Sequence, residues 1–218
     1  MRWLIINIGY ALLFLNWVLY AKVFFKQGKA FKIFTVYLLG TVVVQIMSKI
    51  FLILYENNLF ISHFYFIGQF VLLSLFFKNL YKTKTQKKIA NWILIIGISV
   101  LAGQYIIDPN VFFKFNLFEI FITSFLIIVM AAIHLYNLLS EEKVFYYCTI
   151  GILLYLSGST ILFFVGNLTA ILSKEYQFLP WTLNAVLVVI YHLFILFEWR
   201  KTFYLKKLNI NNENKPTL

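Results

Sequence analysis

Cysteine and charge are both scarce in this sequence. Its single cysteine, Cys148, lies in an apolar stretch, so no intrachain disulfide can form and a disulfide-stabilised scaffold is excluded. Only 12% of the residues are charged, whereas a soluble domain carries about 25%. Hydrophobic residues make up 62% of the chain, and the mean hydropathy is +0.84. No soluble core of this size could hide that surface, so the composition indicates a polytopic membrane protein.

Long apolar runs divide the chain into seven candidate transmembrane helices. A spanning helix needs about 20 mostly apolar residues, because the hydrocarbon core is about 30 Å thick and each residue rises about 1.5 Å. The predicted spans are 3–21, 33–55, 59–78, 90–107, 113–136, 145–171 and 181–199. The first run is too long for the apolar core of a signal peptide, so we expect it to remain as a helix. The prediction is an all-α, polytopic membrane bundle of seven transmembrane helices over 1–203, followed by a short cytoplasmic tail over 204–218.

Most of the net charge of +11 lies in three segments on one side of the predicted bundle. Their basic residues are Lys22, Lys26, Lys29 and Lys32, then Lys78, Lys82, Lys84, Lys87 and Lys88, and finally Arg200, Lys201, Lys206, Lys207 and Lys215. The opposite side has only Arg2, Lys114 and Lys174. Because basic residues stay cytoplasmic, the pattern predicts an N-terminus outside, a C-terminus inside and a multi-pass protein of the cell inner membrane. We expect the basic loops to favour anionic lipid of the bilayer, and we predict no specific nucleic acid.

Two charged residues lie well away from the ends of their predicted spans, and a charge costs about 2.5–3.5 kcal/mol at the bilayer centre. Lys49 in the second span and Glu119 in the fifth each lie about six residues, or roughly 9 Å, below the outer edge. Equal depth and opposite sign predict an ion pair or a shared pocket. The alternative is that both side chains extend separately to the headgroups, with Lys49 near Glu56.

Polar residues also recur at helical spacing in four of the spans, which places them on common faces. If these faces converge, they line a shallow pocket open to the outer side. The predicted lining is Gln45, Lys49, His63, Gln69, Glu119 and Asn184. The alternative is that these faces only hold the bundle together through interhelical hydrogen bonds.

The pattern contains no signature of a metal or cofactor site. The three histidines, His63, His134 and His192, lie at different depths, and His63 and His134 differ by more than about 20 Å, so they cannot share one zinc ion. The last span has no lysine to carry a retinal Schiff base. We therefore predict no catalytic residue, no metal and no cofactor.

Two other functions stay open at this point. Glu119 and His63 would form an acid–base pair for an intramembrane lipid-modifying enzyme if the third and fifth helices were adjacent. A small-solute transporter is the other alternative. Pro109 and Pro180 both lie at helix starts, and no span is broken by proline at the midplane, as transporter helices often are.

The stretch Asn57–Phe66, followed by Gln69-Phe70, resembles a group of uncharacterised seven-helix proteins of Bacteroidetes-type bacteria. In that group an Asn-rich turn precedes His or Asn, then Tyr, then an acid or amide before an apolar run. Gln69 stands where the group often has Glu, and the segment Phe145–Gly158 is similar too. In size and composition the chain is also similar to small membrane accessory proteins encoded beside RNA-targeting CRISPR effectors. The resemblance implies a membrane protein and no established activity.

Together these features predict a non-enzymatic sensor or regulatory accessory subunit. A ligand in the outer pocket would act by binding one arrangement of the helices better than another. The tail is too short to signal by itself, so we expect the basic loops to contact a cytoplasmic or membrane protein partner.

Overall fold

Seven helices form most of the chain in a computed structural model, which describes residues 2–55, 58–172 and 178–205. They are α1 (Arg2–Lys22), α2 (Lys29–Tyr55), α3 (Leu59–Leu80), α4 (Lys84–Ile107), α5 (Leu117–Asn137), α6 (Tyr146–Leu172) and α7 (Leu179–Trp199). All seven are long and apolar enough to cross a membrane, which confirms the predicted all-α architecture of seven spans. The predicted tail beyond residue 205, together with Glu56 and Lys174, lies outside the described residues.

Capping residues, rather than hydropathy, set the two boundaries that differ most from the predicted spans. α4 begins at Lys84 instead of residue 90, because the Thr83 hydroxyl accepts a hydrogen bond from the Gln86 amide at 3.2 Å. α5 begins at Leu117 instead of residue 113, because Pro109–Phe113 forms a 3₁₀ turn and Asn116 caps the helix. Residues 84–88 are polar and basic, so hydropathy excludes them although they are helical. Phe113 and Phe115 extend the apolar run of α5 beyond its cap, so hydropathy alone could not place that start either.

Six helices form a closed ring in the order α1, α2, α3, α5, α6, α7, and α1 packs against α7 to complete it. α4 lies outside the ring and packs on α3 and α5. The spanning part of α4 is accordingly 17% buried, whereas that of α3 is 44% buried. We call the end of the bundle where α1 begins and α2 ends the N-terminal end. Short connections between antiparallel neighbours place the starts of α3, α5 and α7 at this same end.

Aromatic side chains fill the half of the ring away from the N-terminal end. Phe34 and Phe76 are both fully buried, with ring centroids 5.0 Å apart. Phe145 meets Phe76 edge-to-face at 5.0 Å. Such pairs contribute about 0.5–1.5 kcal/mol beyond the burial of their area, so this half of the bundle is the tightly packed one.

Glycines on α6 let α7 approach closely. A Cβ atom at Gly151 would lie 2.8 Å from the Cβ of Phe194, and one at Gly158 would lie 2.6 Å from a methyl group of Leu187. Small residues at such contacts are typical of helix pairs in membranes, where dispersion contacts rather than water exclusion hold helices together.

Glu198, near the end of α7, supplies the cap that α6 lacks. The residue before α6, Phe145, has an apolar side chain and a φ of 56°. The Glu198 carboxylate accepts hydrogen bonds from the backbone amides of Tyr147 at 2.7 Å and Cys148 at 3.4 Å. An acid near a helix N-terminus is also favoured by the helix dipole. The contact ties the two helices together at the end opposite the cavity described below.

The glycine contacts make a direct test of the α6–α7 packing. We expect Gly151→Ala to lower the free energy of unfolding by about 1–3 kcal/mol, because the new methyl group overlaps the Phe194 Cβ, which cannot move without its backbone. Gly68→Ala on α3 is the control: a methyl group there would meet nothing within 4 Å, so it should be neutral or add about 0.5–1 kcal/mol. Unfolding in detergent micelles measures both, and equal effects would contradict the packing.

Candidate functional site

A cavity of about 480 Å³ lies inside the ring at the N-terminal end of the bundle. Residues of α1, α2, α3, α6 and α7 form its walls. The polar side chains in the lining are Thr41, Gln45, Ser48, Asn58, Ser62, Asn184 and His192, together with four tyrosines. No described residue of the lining carries a formal charge. The volume falls within the range of about 300–1,000 Å³ that is usual for small-molecule sites.

A network of hydroxyl groups around one amide forms the floor of this cavity. Gln69 Nε2 donates hydrogen bonds to the hydroxyls of Tyr37 at 3.1 Å and Tyr65 at 3.3 Å. The Tyr191 hydroxyl donates to that of Tyr37 at 3.2 Å, and the hydroxyls of Tyr65 and Tyr155 lie 3.1 Å apart. The rings of Tyr155 and Tyr191 stack at 5.2 Å. The network therefore joins α2, α3, α6 and α7 across the ring.

Two polar atoms in the cavity lining have no hydrogen-bond partner among the described residues. They are Oδ1 of Asn184 and Nδ1 of His192. His192 is only 3% exposed, and Asn16 donates to its backbone carbonyl rather than to its ring. Leaving such an atom buried and unpaired costs about 1–3 kcal/mol. A ligand that supplies hydrogen-bonding atoms here would remove that cost.

Aromatic rings form the part of the lining nearest the N-terminal end. The ring centroid of Trp181 lies 5.7 Å from that of Phe163 and 5.8 Å from that of Phe115. Phe66 meets Phe163 at 6.0 Å. A cavity with aromatic walls and a few unpaired polar atoms is suited to an uncharged group with both apolar and hydrogen-bonding parts.

A second polar cluster lies outside the ring, where α4 packs against α3 and α5. His63 Nδ1 lies 3.0 Å from Glu119 Oε2 and 2.9 Å from the hydroxyl of Tyr105. The Tyr105 hydroxyl also donates to Glu119 Oε2 in a very short contact. Asn116 accepts from the backbone amide of Glu119 at 3.1 Å, which fixes Glu119 in the first turn of α5. The helix dipole favours a carboxylate at that position.

Contacts around this cluster fasten α4 to the ring. Gln104 of α4 and Asn116 exchange two amide hydrogen bonds, at 3.2 and 3.0 Å. Phe112, in the turn before α5, stacks on the ring of His63 at 5.2 Å. His63 and Glu119 are 1% and 0% exposed, and neither is among the residues that line the cavity. The acid–imidazole contact that the sequence allowed is therefore formed, at a distance from the cavity.

Lys49 does not meet Glu119, which corrects the ion pair predicted from their equal depth. Lys49 is exposed, and its ammonium group lies 4.5 Å from the ring centroid of Tyr10 on α1. α3 packs between α2 and α5, so the two helices that carry the charges are not neighbours in the ring. Depth gives the position of a residue along the membrane normal, but the order of helices around the ring decides which residues meet.

The structure thus separates the six predicted site residues into three groups. Gln45 and Asn184 line the cavity, and Gln69 lies directly beneath it. His63 and Glu119 belong to the cluster under α4. Lys49 lies in a groove between α1 and α2 on the outer surface of the ring.

Sequence reasoning did not identify Tyr105 or His192 as site residues. The depth of Tyr105, near the end of α4 and close to that of Glu119, was the available signal for its place in the cluster. His192 lies about two turns beyond Asn184, which belonged to the predicted lining, on the same helix. Within the described ranges, no three histidine, cysteine or acidic side chains come close enough together to hold a metal ion.

No protein-family model matches the chain, and comparisons with curated proteins and with solved structures give no match.

The cluster under α4 predicts a large effect for a small change. We expect Glu119→Gln to lower the free energy of unfolding by about 1–3 kcal/mol, because a neutral amide accepts weaker hydrogen bonds from His63 and Tyr105 than a carboxylate does, and its NH2 group would be buried where Oε1 has no partner. Glu142→Gln, in an exposed loop, is the matched control and should change little. Chemical denaturation in micelles provides the measurement. An E119Q protein as stable as the wild type would show that the cluster does not hold α4.

Proposed function

We propose that the protein is a sensor or regulatory accessory subunit of the cell inner membrane, and that its ligand binds in the cavity at the N-terminal end. The observation that carries this proposal is the pair of buried, unpaired atoms, Asn184 Oδ1 and His192 Nδ1, in the lining of a cavity large enough for a small molecule. Other buried atoms of the described residues also lack a partner, such as Ser74 Oγ and Trp199 Nε1, but these two are the ones that lie in the lining of this cavity.

The position of α7 supports a way for the ligand to act. Asn184 and His192 lie on α7, and Gln45 faces the same cavity from α2. A ligand that contacts both helices favours the arrangement in which they are closest, and it shifts the population by its difference in affinity. At the other end of α7, Glu198 caps α6. A displacement of α7 would therefore reach the end of the bundle opposite the cavity, which we call the basic end because it carries most of the basic residues.

The lysines at the start of α4 support a partner at that end. Lys84, Lys87 and Lys88 are all exposed in the first turns of the helix. Basic residues at a helix N-terminus oppose the helix dipole, so they do not stabilise α4 itself. An acidic surface of a protein partner, or anionic lipid headgroups, would compensate for them. We propose that the basic end is cytoplasmic and that a regulated protein docks there.

Selective labelling tests the proposed orientation. The only cysteine, Cys148, is fully buried, so its background labelling should be low. We expect an impermeant maleimide to label Lys114→Cys in intact cells, because Lys114 is exposed at the N-terminal end. Lys84→Cys, at the opposite end, should be labelled only after the membrane is opened. The reverse pattern would contradict an outside N-terminus.

Cross-linking in native membranes tests the regulatory role. We expect the wild-type chain to cross-link to one defined protein, and a triple Lys84→Gln, Lys87→Gln, Lys88→Gln variant to lose that product about tenfold, since each exposed ion pair contributes up to about 1 kcal/mol. Lys114→Gln, at the other end of the bundle, is the control and should keep the product. Isolation of the chain alone from its native membranes would count against an accessory subunit.

A second candidate, an intramembrane lipid-modifying enzyme, is favoured by the 3.0 Å contact between His63 and Glu119. An acid next to an imidazole is the pair that general acid–base catalysis uses. The two functions differ in what Glu119→Gln does to a correctly folded protein. A change in the cell's lipid composition that follows this substitution would favour the enzyme. An unchanged composition would favour the sensor.

A further inference from the structure

The groove that holds Lys49 opens toward the bilayer and adjoins the cavity. It lies between α1 and α2, has a volume of about 150 Å³, and is lined by Leu13, Phe14, Val42 and Ile46 together with Tyr10, Gln45 and Lys49. Tyr10, Leu13 and Gln45 also line the cavity. Phe14 and Ile46 are each 54% exposed on the outer surface of the ring, where acyl chains would surround them. The groove therefore lies next to the polar interior, with Tyr10, Leu13 and Gln45 between the two spaces.

We infer that the ligand of the cavity is a phospholipid whose head group is uncharged beyond the phosphate and carries hydroxyls, as in phosphatidylglycerol. Its phosphate lies at Lys49, one acyl chain follows the groove, and the head group enters the cavity past Gln45. This inference rests on the proposed function, because it names the ligand of the same site.

Lys49 supports the position of the phosphate. It lies within the spanning part of α2, which runs from Lys29 to Leu54, and no described carboxylate lies within 4 Å of its ammonium group. The Tyr10 ring, 4.5 Å away, orients the ammonium group without neutralising it. A cation below the headgroup region is costly unless an anion accompanies it. The long Lys49 side chain can extend toward the headgroups, where a lipid phosphate is the anion that the bilayer supplies.

The direction of the groove supports the position of the acyl chain. Lys49 and Tyr10 are at the part of the groove nearest the N-terminal end. Val42 precedes Lys49 by seven residues on α2, which places it about 10 Å deeper in the membrane. Phe14 lies one turn deeper than Tyr10 on α1. Charge at the top and apolar side chains below follow the order of phosphate and acyl chain in a lipid.

The cavity supports the choice of head group. Gln45 faces both spaces, and Asn184 Oδ1 and His192 Nδ1 lie unpaired beyond it. A hydroxyl group of the head group can donate to the Asn184 oxygen, whereas His192 lies eight residues, or about 12 Å, further along α7. No described carboxylate lines the cavity, so no negative charge there would compensate the ammonium group of an ethanolamine or choline lipid.

The test uses the full chain, delipidated and reconstituted in phosphatidylcholine nanodiscs that contain phosphatidylglycerol, phosphatidylethanolamine or phosphatidic acid. Native mass spectrometry then measures how much of each lipid stays bound. We expect phosphatidylglycerol to be retained in preference to the other three, and Lys49→Gln to reduce its retention about fivefold. Lys49→Arg should restore it, which excludes a failure of folding. Lys114→Gln, an exposed cation at the same end outside the groove, should have no effect.

A second variant separates the head group from the phosphate. We expect Asn184→Leu to abolish the preference for phosphatidylglycerol over phosphatidic acid while both lipids remain bound, because the phosphate contact is intact. Equal retention of phosphatidylcholine, or retention that does not depend on Lys49, would overturn the inference. If phosphatidylglycerol binds as described but its addition leaves the cross-linked partner unchanged, the lipid site stands and the proposed function fails.

Discussion

Gln69, in the middle of a membrane-spanning helix, donates two hydrogen bonds from its amide nitrogen. The packing of the ring helices depends on the side chains that accept them. Lipid offers no hydrogen bonds at this depth of a bilayer, so a buried donor or acceptor without a partner in the protein is costly. Gln69 meets Tyr37 on α2 and Tyr65 on α3, and these reach Tyr191 on α7 and Tyr155 on α6. One amide and the tyrosines bonded around it thus link four of the six ring helices.

The same constraint explains why the two ends of the bundle differ. Away from the N-terminal end, aromatic side chains such as Phe34 and Phe76 fill the ring and leave little space. Above the Gln69 network the lining becomes polar and the packing opens into the cavity. Unpaired atoms at Asn184 and His192 then lie where a ligand can reach them. Packing stabilises one half of the molecule, and the polar half is where binding would take place.

α4 depends on the ring without forming part of it. Its attachment near the N-terminal end comes from polar contacts, chiefly those of Tyr105 and Gln104 with Glu119 and Asn116. His63 and Glu119 are therefore explained by the position of α4, and a catalytic role is not needed to account for their burial. The separation of this cluster from the cavity is the main reason for preferring a binding function.

The number of spans could be predicted from the sequence because hydropathy depends on composition within each segment. The inward faces of Gln45 and Asn184 followed from helical spacing, which is also local to one helix. The partner of Lys49 could not be predicted, because depth along the membrane normal says nothing about which helix stands next to which. α3 lies between the two charged helices, and that order arises from packing among all seven. The start of α5 was missed for a different reason. Asn116 caps the helix, but a single asparagine between Phe115 and Leu117 is too short a break to end an apolar run.

A double-mutant cycle between Gln69 and Tyr37 tests this account most directly. Gln69→Leu, Tyr37→Phe and the double variant are unfolded under the same conditions in a lipid environment, and the coupling free energy is taken from the three differences. If the hydrogen bond joins α2 to α3 as described, the coupling should be about 0.6–1.7 kcal/mol, the range found for polar contacts between membrane helices. Purely additive effects of the two substitutions would contradict it.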